Sequence, residues 1–295
     1  MKFMYEVLVK NHCNFQKPVI CNKSITKDSV SCQLKRILKI SVNHILWQGT
    51  DILQKLNIAD HFPNISFVDE LNSKKYKSCA LVMGSPEVLD YKLGGFIDSH
   101  DAVARINYAP ITGYEEYVGN RTTIYIMNRT YYDFLLKQDK QKYLNLLTYI
   151  WYTGKAVGSF TSMLVNDYKA ERGHLIYKSY HNFKNSVKNI YLSDSIYGRR
   201  ANCIIKKYFN VSGGLVASSG FQGFLVLMHL CDDIDVFGVN NLTGREGHYY
   251  SKRKNTTIEN GVHPIVTERL LYHTLAVNKD QGFLRIHGFS KINCS

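Results

Sequence analysis

The chain has 295 residues, a length that allows one large α/β domain or two small ones and excludes a peptide-scale scaffold. Hydrophobic residues make up 45% of it and charged residues 21%, close to globular averages, which argues against a disordered or fibrous chain. The 37 Lys and Arg residues outnumber the 24 Asp and Glu residues, giving a net charge of +13. This excess favours an anionic partner: nucleic acid, an anionic membrane surface, or a phosphorylated or carboxylated small substrate.

The N-terminal part carries no regular hydrophobic pattern. We predict an N-terminal extension over residues 1–71 and one catalytic-sized domain over residues 72–295. The first ten residues are charged at positions 2, 6 and 10 and contain no apolar stretch long enough for a signal peptide or membrane anchor. Frequent Asn-x-Ser/Thr sequons nevertheless suit a protein of the secretory pathway.

From Cys79 onward, short β-type runs alternate with intervals of helix length. The predicted strands are Cys79–Val82, Ala102–Ile106, Thr122–Met127, Leu147–Trp151, Asn189–Leu192, Ile234–Val239 and Phe283–Ile286. Strands separated in this way predict a largely parallel sheet with helices on both faces. The expected fold class is therefore α/β.

The most apolar segment, Phe221–Leu230, is too short to span a bilayer and predicts a buried helix. Ser218, Ser219 and Gly220 precede it, where an N-cap belongs. Free N–H groups and hydroxyls at a helix N-terminus bind phosphate well, although ordinary capping explains the same residues.

Several other patterns have both a functional and a structural interpretation. Asp98–Asp101 contains an Asp, a Ser and a His, but neighbouring residues seldom face one another, so a hydrolase triad is disfavoured. Asp233 and Asp235 form an Asp-x-Asp, which is typical of a metal-dependent glycosyltransferase and equally of a solvated turn. The basic stretches Lys74–Lys77 and Lys252–Lys254 are short and fit a solvated surface better than a nucleic-acid site.

Two histidines near the C-terminus, His248 and His263, are candidate functional residues. An imidazole acts near neutral pH as a general base or, once protonated, as a donor to an anion. Taken singly, each histidine is more often structural than functional.

Four segments, in order and at fitting spacing, resemble the four sialyl motifs of the eukaryotic-type sialyltransferases, glycosyltransferase family 29. The long motif is similar to Cys79–Ser85 with Ile97–Asp101, Arg105–Asn107, Ala109-Pro110 and Gly113–Gly119. The short motif is similar to Ser218–Gly238, the third to His248-Tyr249-Tyr250, and the fourth to His263 with Glu268. The resemblance covers the chain from Cys79 to about Glu268.

The resemblance implies a single Rossmann-like domain, a variant of the glycosyltransferase A fold, that uses CMP-sialic acid as donor, needs no metal and inverts configuration. It also implies a disulfide between Cys79 and Cys231, which requires an oxidising lumen such as that of the Golgi or endoplasmic reticulum. The pairing of Cys13, Cys21, Cys32, Cys203 and Cys294 is left open. We expect CMP-sialic acid and a glycan acceptor as partners, with no nucleic acid and no membrane span in this chain.

The site residues follow from the same resemblance. His263 matches the catalytic base, and His248 matches the histidine that stabilises the donor phosphate. The positions that match donor-binding residues are Ser85, Asn107, Ser218, Ser219 and Gly220, and Tyr249 and Glu268 are the remaining motif positions.

Two departures from the family pattern stand out. Met83-Gly84-Ser85 replaces the usual Gly-Asn-Ser and removes an Asn side chain that holds the donor, and Ser251 replaces an acidic residue. A non-catalytic relative that binds glycans or nucleic acid is therefore the alternative. For the acceptor, the motifs favour an α2,3 linkage to galactose over an α2,6 linkage to N-acetylgalactosamine.

Overall fold

A computed structural model describes residues 30–36, 45–55, 59–107, 109–128, 147–151, 190–193, 217–241, 247–251 and 265–294. Within these ranges the chain forms a sheet of nine strands covered by helices. The strands are β1 (Ile45–Leu46), β2 (Tyr76–Val82), β3 (Ala102–Ile106), β4 (Ile124–Asn128), β5 (Leu147–Trp151), β6 (Ile190–Ser193), β7 (Cys231–Phe237), β8 (Ala276–Asp280) and β9 (Phe283–His287). The α-helices are α1 (residues 30–36), α2 (Asp51–Lys55), α3 (Phe67–Ser73), α4 (Gly94–Asp98), α5 (Glu115–Val118), α6 (Ser219–Leu230) and α7 (Ile265–Leu275). Two 3₁₀ turns span Ala59–His61 and Pro86–Asp90.

The sheet is mostly parallel, as predicted. Its order is β1-β6-β5-β4-β3-β2-β7-β9-β8, and every pair from β6 to β7 in this order is parallel. β1, β9 and β8 add antiparallel strands at the two edges. The α/β fold class is therefore confirmed. β8 was missed because its residues are mostly exposed and polar, so no apolar alternation marks it.

The central strands are buried on both faces, which explains their continuous apolar sequence. All five residues of β3 and the last four of β2 are buried. One layer of the core packs α6 against one face of these strands, and Gly223 lets the helix approach closely, because a Cβ there would lie 2.8 Å from Ile126. The other layer packs Ala80 and Val82 against residues that include Tyr249.

Two disulfides join distant parts of the described chain. Cys79–Cys231 links β2 to the start of β7, as the sequence resemblance implied. Cys32–Cys294, whose pairing the sequence left open, links α1 to the C-terminal end. Residues before the predicted boundary at position 71 thus contact the sheet, since α1 contributes Val30 and Leu34 to the core. The division at residue 71 itself stays a prediction.

The connections create a topological switch point, the place at which an open α/β sheet has a crevice. After β2 the chain adds β3 to β6 on one side, and it then returns to place β7 on the other side of β2. In open α/β sheets the ligand binds where the strand order reverses, outside the carboxyl ends of the strands. Here that place is the carboxyl ends of β2 and β7. No helix in the described ranges is both long and apolar enough to cross a membrane.

Candidate active site

The segment Met83–Ser85, which we call the β2 loop, leaves the carboxyl end of β2 at this crevice. The N–H of Met83 donates to the carbonyl of Phe237, at the end of β7. Gly238 follows with a φ of 83°, and a Cβ there would lie 2.8 Å from a methyl of Val88 and 3.5 Å from the Cβ of Ser85. A glycine is needed at 238 for both its backbone angle and its close contacts.

Ser85 caps the 3₁₀ turn that follows the β2 loop and also contacts α7. Its hydroxyl accepts from the N–H of Glu87 at 3.5 Å and from Nη2 of Arg269 at 3.3 Å. The Arg269 guanidinium binds the Glu87 carboxylate at 2.9 Å and the carbonyls of Asn241 and Gly238. Both charged side chains are buried, so this ion pair fixes α7 against the 3₁₀ turn that follows the β2 loop.

The N-terminus of α6 is held by a buried carboxylate from α7. The N–H of Ser218 donates to Oε1 of Glu268 at 2.8 Å, and the Ser218 hydroxyl donates to Oε2 at 2.6 Å. The same hydroxyl accepts from the N–H of Phe221 at 3.1 Å, as an N-cap does. Burial raises the pKa of Glu268 to about 7, although the two bonds from Ser218 lower it.

Ser218 is therefore engaged within the protein, while Ser219 and Gly220 begin the helix beside the β2 loop. A Cβ on Gly220 would lie 2.7 Å from the sulfur of Met83, so the short motif and the β2 loop are in contact. The first N–H groups of α6 and the helix dipole make this end favourable for an anion.

The third motif lies on the opposite side of the β2 loop. The N–H of Tyr249 donates to the carbonyl of Gly84 at 2.9 Å, and its hydroxyl donates to the carbonyl of Pro110. A Cβ on Gly84 would lie 2.8 Å from Cδ2 of His248, whose ring stacks on Tyr250 with centroids 5.1 Å apart. Burial lowers the pKa of His248, which favours a neutral imidazole.

Asn107 follows β3 at the same edge of the sheet. Its N–H donates to the carbonyl of Ile126 at 2.7 Å, and its φ of 53° lies in the left-handed region. The register pairs Val82 with Arg105, so Asn107 leaves β3 at the level at which Gly84 leaves β2.

The hydrogen-bond and ion-pair partners of Asp233 and Asp235 decide between the two interpretations of the Asp-x-Asp motif. Asp233 and Asp235 lie inside β7 and not in a turn. His287 and Lys291 bind Asp233, whereas His100 and Arg285 bind Asp235. Burial would raise the pKa of Asp235, but the hydrogen bonds from Arg285 and His100 outweigh it and the pKa is lowered. These carboxylates form a structural ion-pair network.

The residues of the Asp98–Asp101 segment each face a different partner. Asp98 accepts from the N–H groups of Asn120 and Arg121, and Asp101 accepts from Lys77 and Ser78. The Ser99 hydroxyl donates to the carbonyl of Phe96, and His100 faces Asp235. The segment does not form a triad.

Sequence reasoning missed Arg269, which joins the β2 loop to α7. Its position directly after Glu268 was visible, but its partner Glu87 lies 182 residues away along the chain. It also assigned no role to Arg105 of the long motif, whose guanidinium donates to the carbonyls of Val118 and Arg121, both at 2.8 Å. A buried arginine that binds carbonyls has no sequence signature.

The structure therefore brings together Ser85, the Ser218–Gly220 turn, His248, Tyr249 and Glu268 around the β2 loop, with Asn107 at the same sheet edge. His263 lies outside the described residues. Hydroxyls, backbone N–H groups at a helix start and an imidazole around one crevice are the groups that bind a nucleotide phosphate. These features define an α/β protein whose motif residues meet at the topological switch point of its sheet.

Comparison with known families identifies the class more closely. A family model of glycosyltransferase family 29 (sialyltransferase) matches residues 25–280. The chain belongs to this family, as the four motifs indicated. The match starts well before residue 79, so it includes part of the predicted N-terminal extension.

Curated relatives agree. The chain is 27% identical over 290 residues to a "Beta-galactoside alpha-2,6-sialyltransferase 2" of Gallus gallus, covering 92% of this chain and 52% of the relative. The proteins of the same name from Danio rerio and Homo sapiens are 26% and 27% identical, over 91% and 77% of this chain and 53% and 44% of the relatives. The chain thus spans about half the length of the curated relatives it matches.

Among solved structures, the chain is similar to one described as "Crystal Structure of a Mammalian Sialyltransferase". The two share 17% identity and superpose with a TM-score of 0.46, covering 93% of this chain and 82% of the other.

Proposed function

We propose that this protein transfers sialic acid from CMP-sialic acid to a terminal β-galactoside of a glycoprotein or glycolipid glycan, with inversion and without a metal. The observation that supports the proposal is the contact of one loop with two motifs and with Arg269, the neighbour of the fourth-motif residue Glu268. Met83 touches Gly220 of the short motif, Gly84 touches His248 of the third, and Ser85 touches Arg269 beside the fourth.

For the linkage we propose α2,6. The motifs favoured α2,3 to galactose, but the curated relatives are named as β-galactoside α-2,6-sialyltransferases. These relatives match along most of this chain, so they weigh more than the short motif segments.

The proposed chemistry divides between two histidines. His263 takes the proton from the acceptor hydroxyl, whose oxygen attacks the anomeric carbon of sialic acid from the face opposite CMP. The carbon–oxygen bond to CMP breaks, and negative charge collects on the CMP phosphate. His248, the Ser219 hydroxyl and the N–H groups at the start of α6 stabilise that charge in place of a metal.

The electrostatics around His248 fit this role. Burial lowers its pKa and so favours a neutral ring, which donates one N–H. An anionic phosphate beside the ring acts in the opposite direction and favours the protonated form. The His248 ring thus becomes protonated when the phosphate anion lies beside it.

Ser85 and Asn107 are assigned to the nucleotide, and Gly220 to its phosphate. Ser218 acts through its hydrogen bonds to Glu268, which hold the first turn of α6 in place. We assign the protein to the lumen of the secretory pathway, because the two disulfides persist in an oxidising compartment.

The test is an assay of the purified protein with CMP-sialic acid, EDTA and a panel of galactosides and N-acetylgalactosaminides, followed by linkage analysis of the product. The proposal expects an α2,6-sialylated β-galactoside that forms equally well with and without EDTA. CMP binding without transfer to any acceptor would favour the non-catalytic alternative. Loss of activity in EDTA would contradict metal independence.

A further inference from the structure

The backbone conformation of Gly84 does not require a glycine. Gly84 is not among the glycines with positive φ, which include Gly238 and Gly247. An L-residue would therefore accept this backbone conformation without strain. What excludes a side chain is the space that a Cβ would enter.

That space is taken by the imidazole of His248. A Cβ on Gly84 would lie 2.8 Å from Cδ2, 3.7 Å from Nε2 and 3.9 Å from Cγ of this ring. The nearest of these distances is far inside van der Waals contact, so either the ring or the backbone would have to move. His248 thus lies against the bare backbone of the β2 loop.

The backbone is the part held more firmly. The Tyr249 N–H donates to the Gly84 carbonyl at 2.9 Å, and the Tyr249 ring packs edge-on to Tyr114 at 4.9 Å and to Tyr250 at 5.0 Å. The N–H of Ser251 closes the turn by donating to the carbonyl of His248 at 3.0 Å. A side chain at position 84 would therefore displace the His248 ring and not the turn that carries it.

We propose that Gly84 is a positioning residue for His248: its missing side chain lets the imidazole lie at the carboxyl end of β2, across the β2 loop from the start of α6. The inference deepens the proposed function and rests on it for the role of His248 toward the donor phosphate. Met83-Gly84, which departs from the usual Gly-Asn of the family, thereby acquires a function of its own. Met83 contacts the short motif and Gly84 accommodates the third.

The first experiment measures the pKa of the His248 ring, which depends on how deeply the ring is buried, in the absence of substrate. The His248 ring is titrated by NMR in the wild type, in Gly84→Ala and in Gly95→Ala, with His248→Ala used to assign its signals. Gly95 is the matched control, because a Cβ there meets nothing within 4 Å. Gly84→Ala is expected to move the ring toward solvent and to raise its pKa toward the ordinary histidine value, whereas Gly95→Ala leaves it unchanged. An unchanged titration in Gly84→Ala would overturn the inference.

The second experiment is a double-mutant cycle that uses CMP as the probe and calorimetry as the measurement. Gly84→Ala is expected to weaken CMP binding about 10- to 100-fold when His248 is present, since losing one hydrogen bond to a charged group costs roughly one to two powers of ten in affinity. In the His248→Ala background the same change is expected to cost less than about twofold. Equal losses in both backgrounds would overturn the coupling between the two residues.

If Gly84→Ala is too unstable for the first two experiments, the melting temperatures of the variants test the inference instead. The Gly84→Ala/His248→Ala double variant is then expected to recover the wild-type melting temperature, because the clashing ring is gone. A double variant that is as unstable as the single one overturns the inference. If the wild type does not bind CMP, the proposed function fails, while the NMR titration still decides whether Gly84 positions the ring.

Discussion

Asn107 is the single non-glycine residue with a positive φ in the described chain. The left-handed conformation costs an L-residue roughly 1–2 kcal/mol, although Asn tolerates it better than most. The strain lies at the carboxyl end of β3, at the edge of the sheet where the motifs meet. Strained residues that persist are concentrated at functional sites, which supports the assignment of Asn107 to the nucleotide.

Two substitutions at Asn107 separate its backbone from its side chain. Asn107→Gly is expected to keep or slightly raise the free energy of unfolding, while Asn107→Ala lowers it by about 1 kcal/mol. Both are expected to weaken CMP binding to a similar extent, because both lose the amide. Denaturant unfolding and calorimetry measure the two quantities. Wild-type CMP affinity in Asn107→Gly would remove this residue from the site.

His263→Ala tests the proposed base. Turnover is expected to fall by a factor of about 10² to 10⁴, while CMP binding is largely retained, since the base acts on the acceptor and not on the nucleotide. His248→Ala serves as the contrasting variant, because it is expected to lose CMP affinity as well. Full transfer activity in His263→Ala would refute the assignment.

At the scale of elements, the junction of α6 and α7 is held by one buried carboxylate. Glu268 in the first turn of α7 accepts both hydrogen bonds from Ser218, the N-cap of α6. Its folded pKa of about 7 lies above the ordinary 4.5, because burial disfavours the charged form. The folded protein therefore binds this proton more tightly than the unfolded chain does.

The sign of the pH dependence follows from this difference. The stabilising contribution of the Glu268 proton is fully present below pH 4.5 and is lost as the pH rises through about 7. The free energy of unfolding is expected to fall by about 3 kcal/mol over this range in the wild type and by clearly less in Glu268→Gln. Denaturant unfolding at a series of pH values measures this. Glu116→Gln, at an exposed position, is the control, and parallel curves for wild type and Glu268→Gln would contradict the buried titration.

At the scale of the whole molecule, the two disulfides close long loops between regions that the sheet also joins. Cys79–Cys231 spans 152 residues and Cys32–Cys294 spans 262. The first links β2 with β7, the two strands whose carboxyl ends form the crevice. The second links α1 with the C-terminal end of the chain.

Removal of each bridge tests this arrangement. Cys79→Ala/Cys231→Ala and Cys32→Ala/Cys294→Ala are each expected to lower the free energy of unfolding by about 2–5 kcal/mol. The first pair is expected also to weaken CMP binding, because it loosens the strands that carry the β2 loop, whereas the second pair spares it. Non-reducing peptide mapping checks both bridges beforehand. A free thiol at Cys79 in the protein made by a eukaryotic secretory cell would contradict the Cys79–Cys231 bridge.

Most of the parallel strands were predictable, and so was α6. Buried parallel strands are continuous apolar runs, and the local sequence alone marks them, as in β3 with its predicted bounds Ala102–Ile106. β1, with two residues, and β8, with a mostly exposed polar sequence, leave no such mark. The same is true of Arg269 and Glu87, whose pairing depends on how the chain returns to the sheet.

The sequence by itself determined the family, the fold class, the core strands and the Cys79–Cys231 pair, because each of these is written in local patterns or in motif residues. Only the tertiary structure showed that Ser218 donates its hydrogen bonds to Glu268 and that Asp233 and Asp235 are ion-paired. It alone showed that the missing side chain of Gly84 leaves space for the His248 ring. These facts concern contacts between residues far apart along the chain. Which side chain occupies a given space is fixed by close packing of the folded chain, and no local pattern records it.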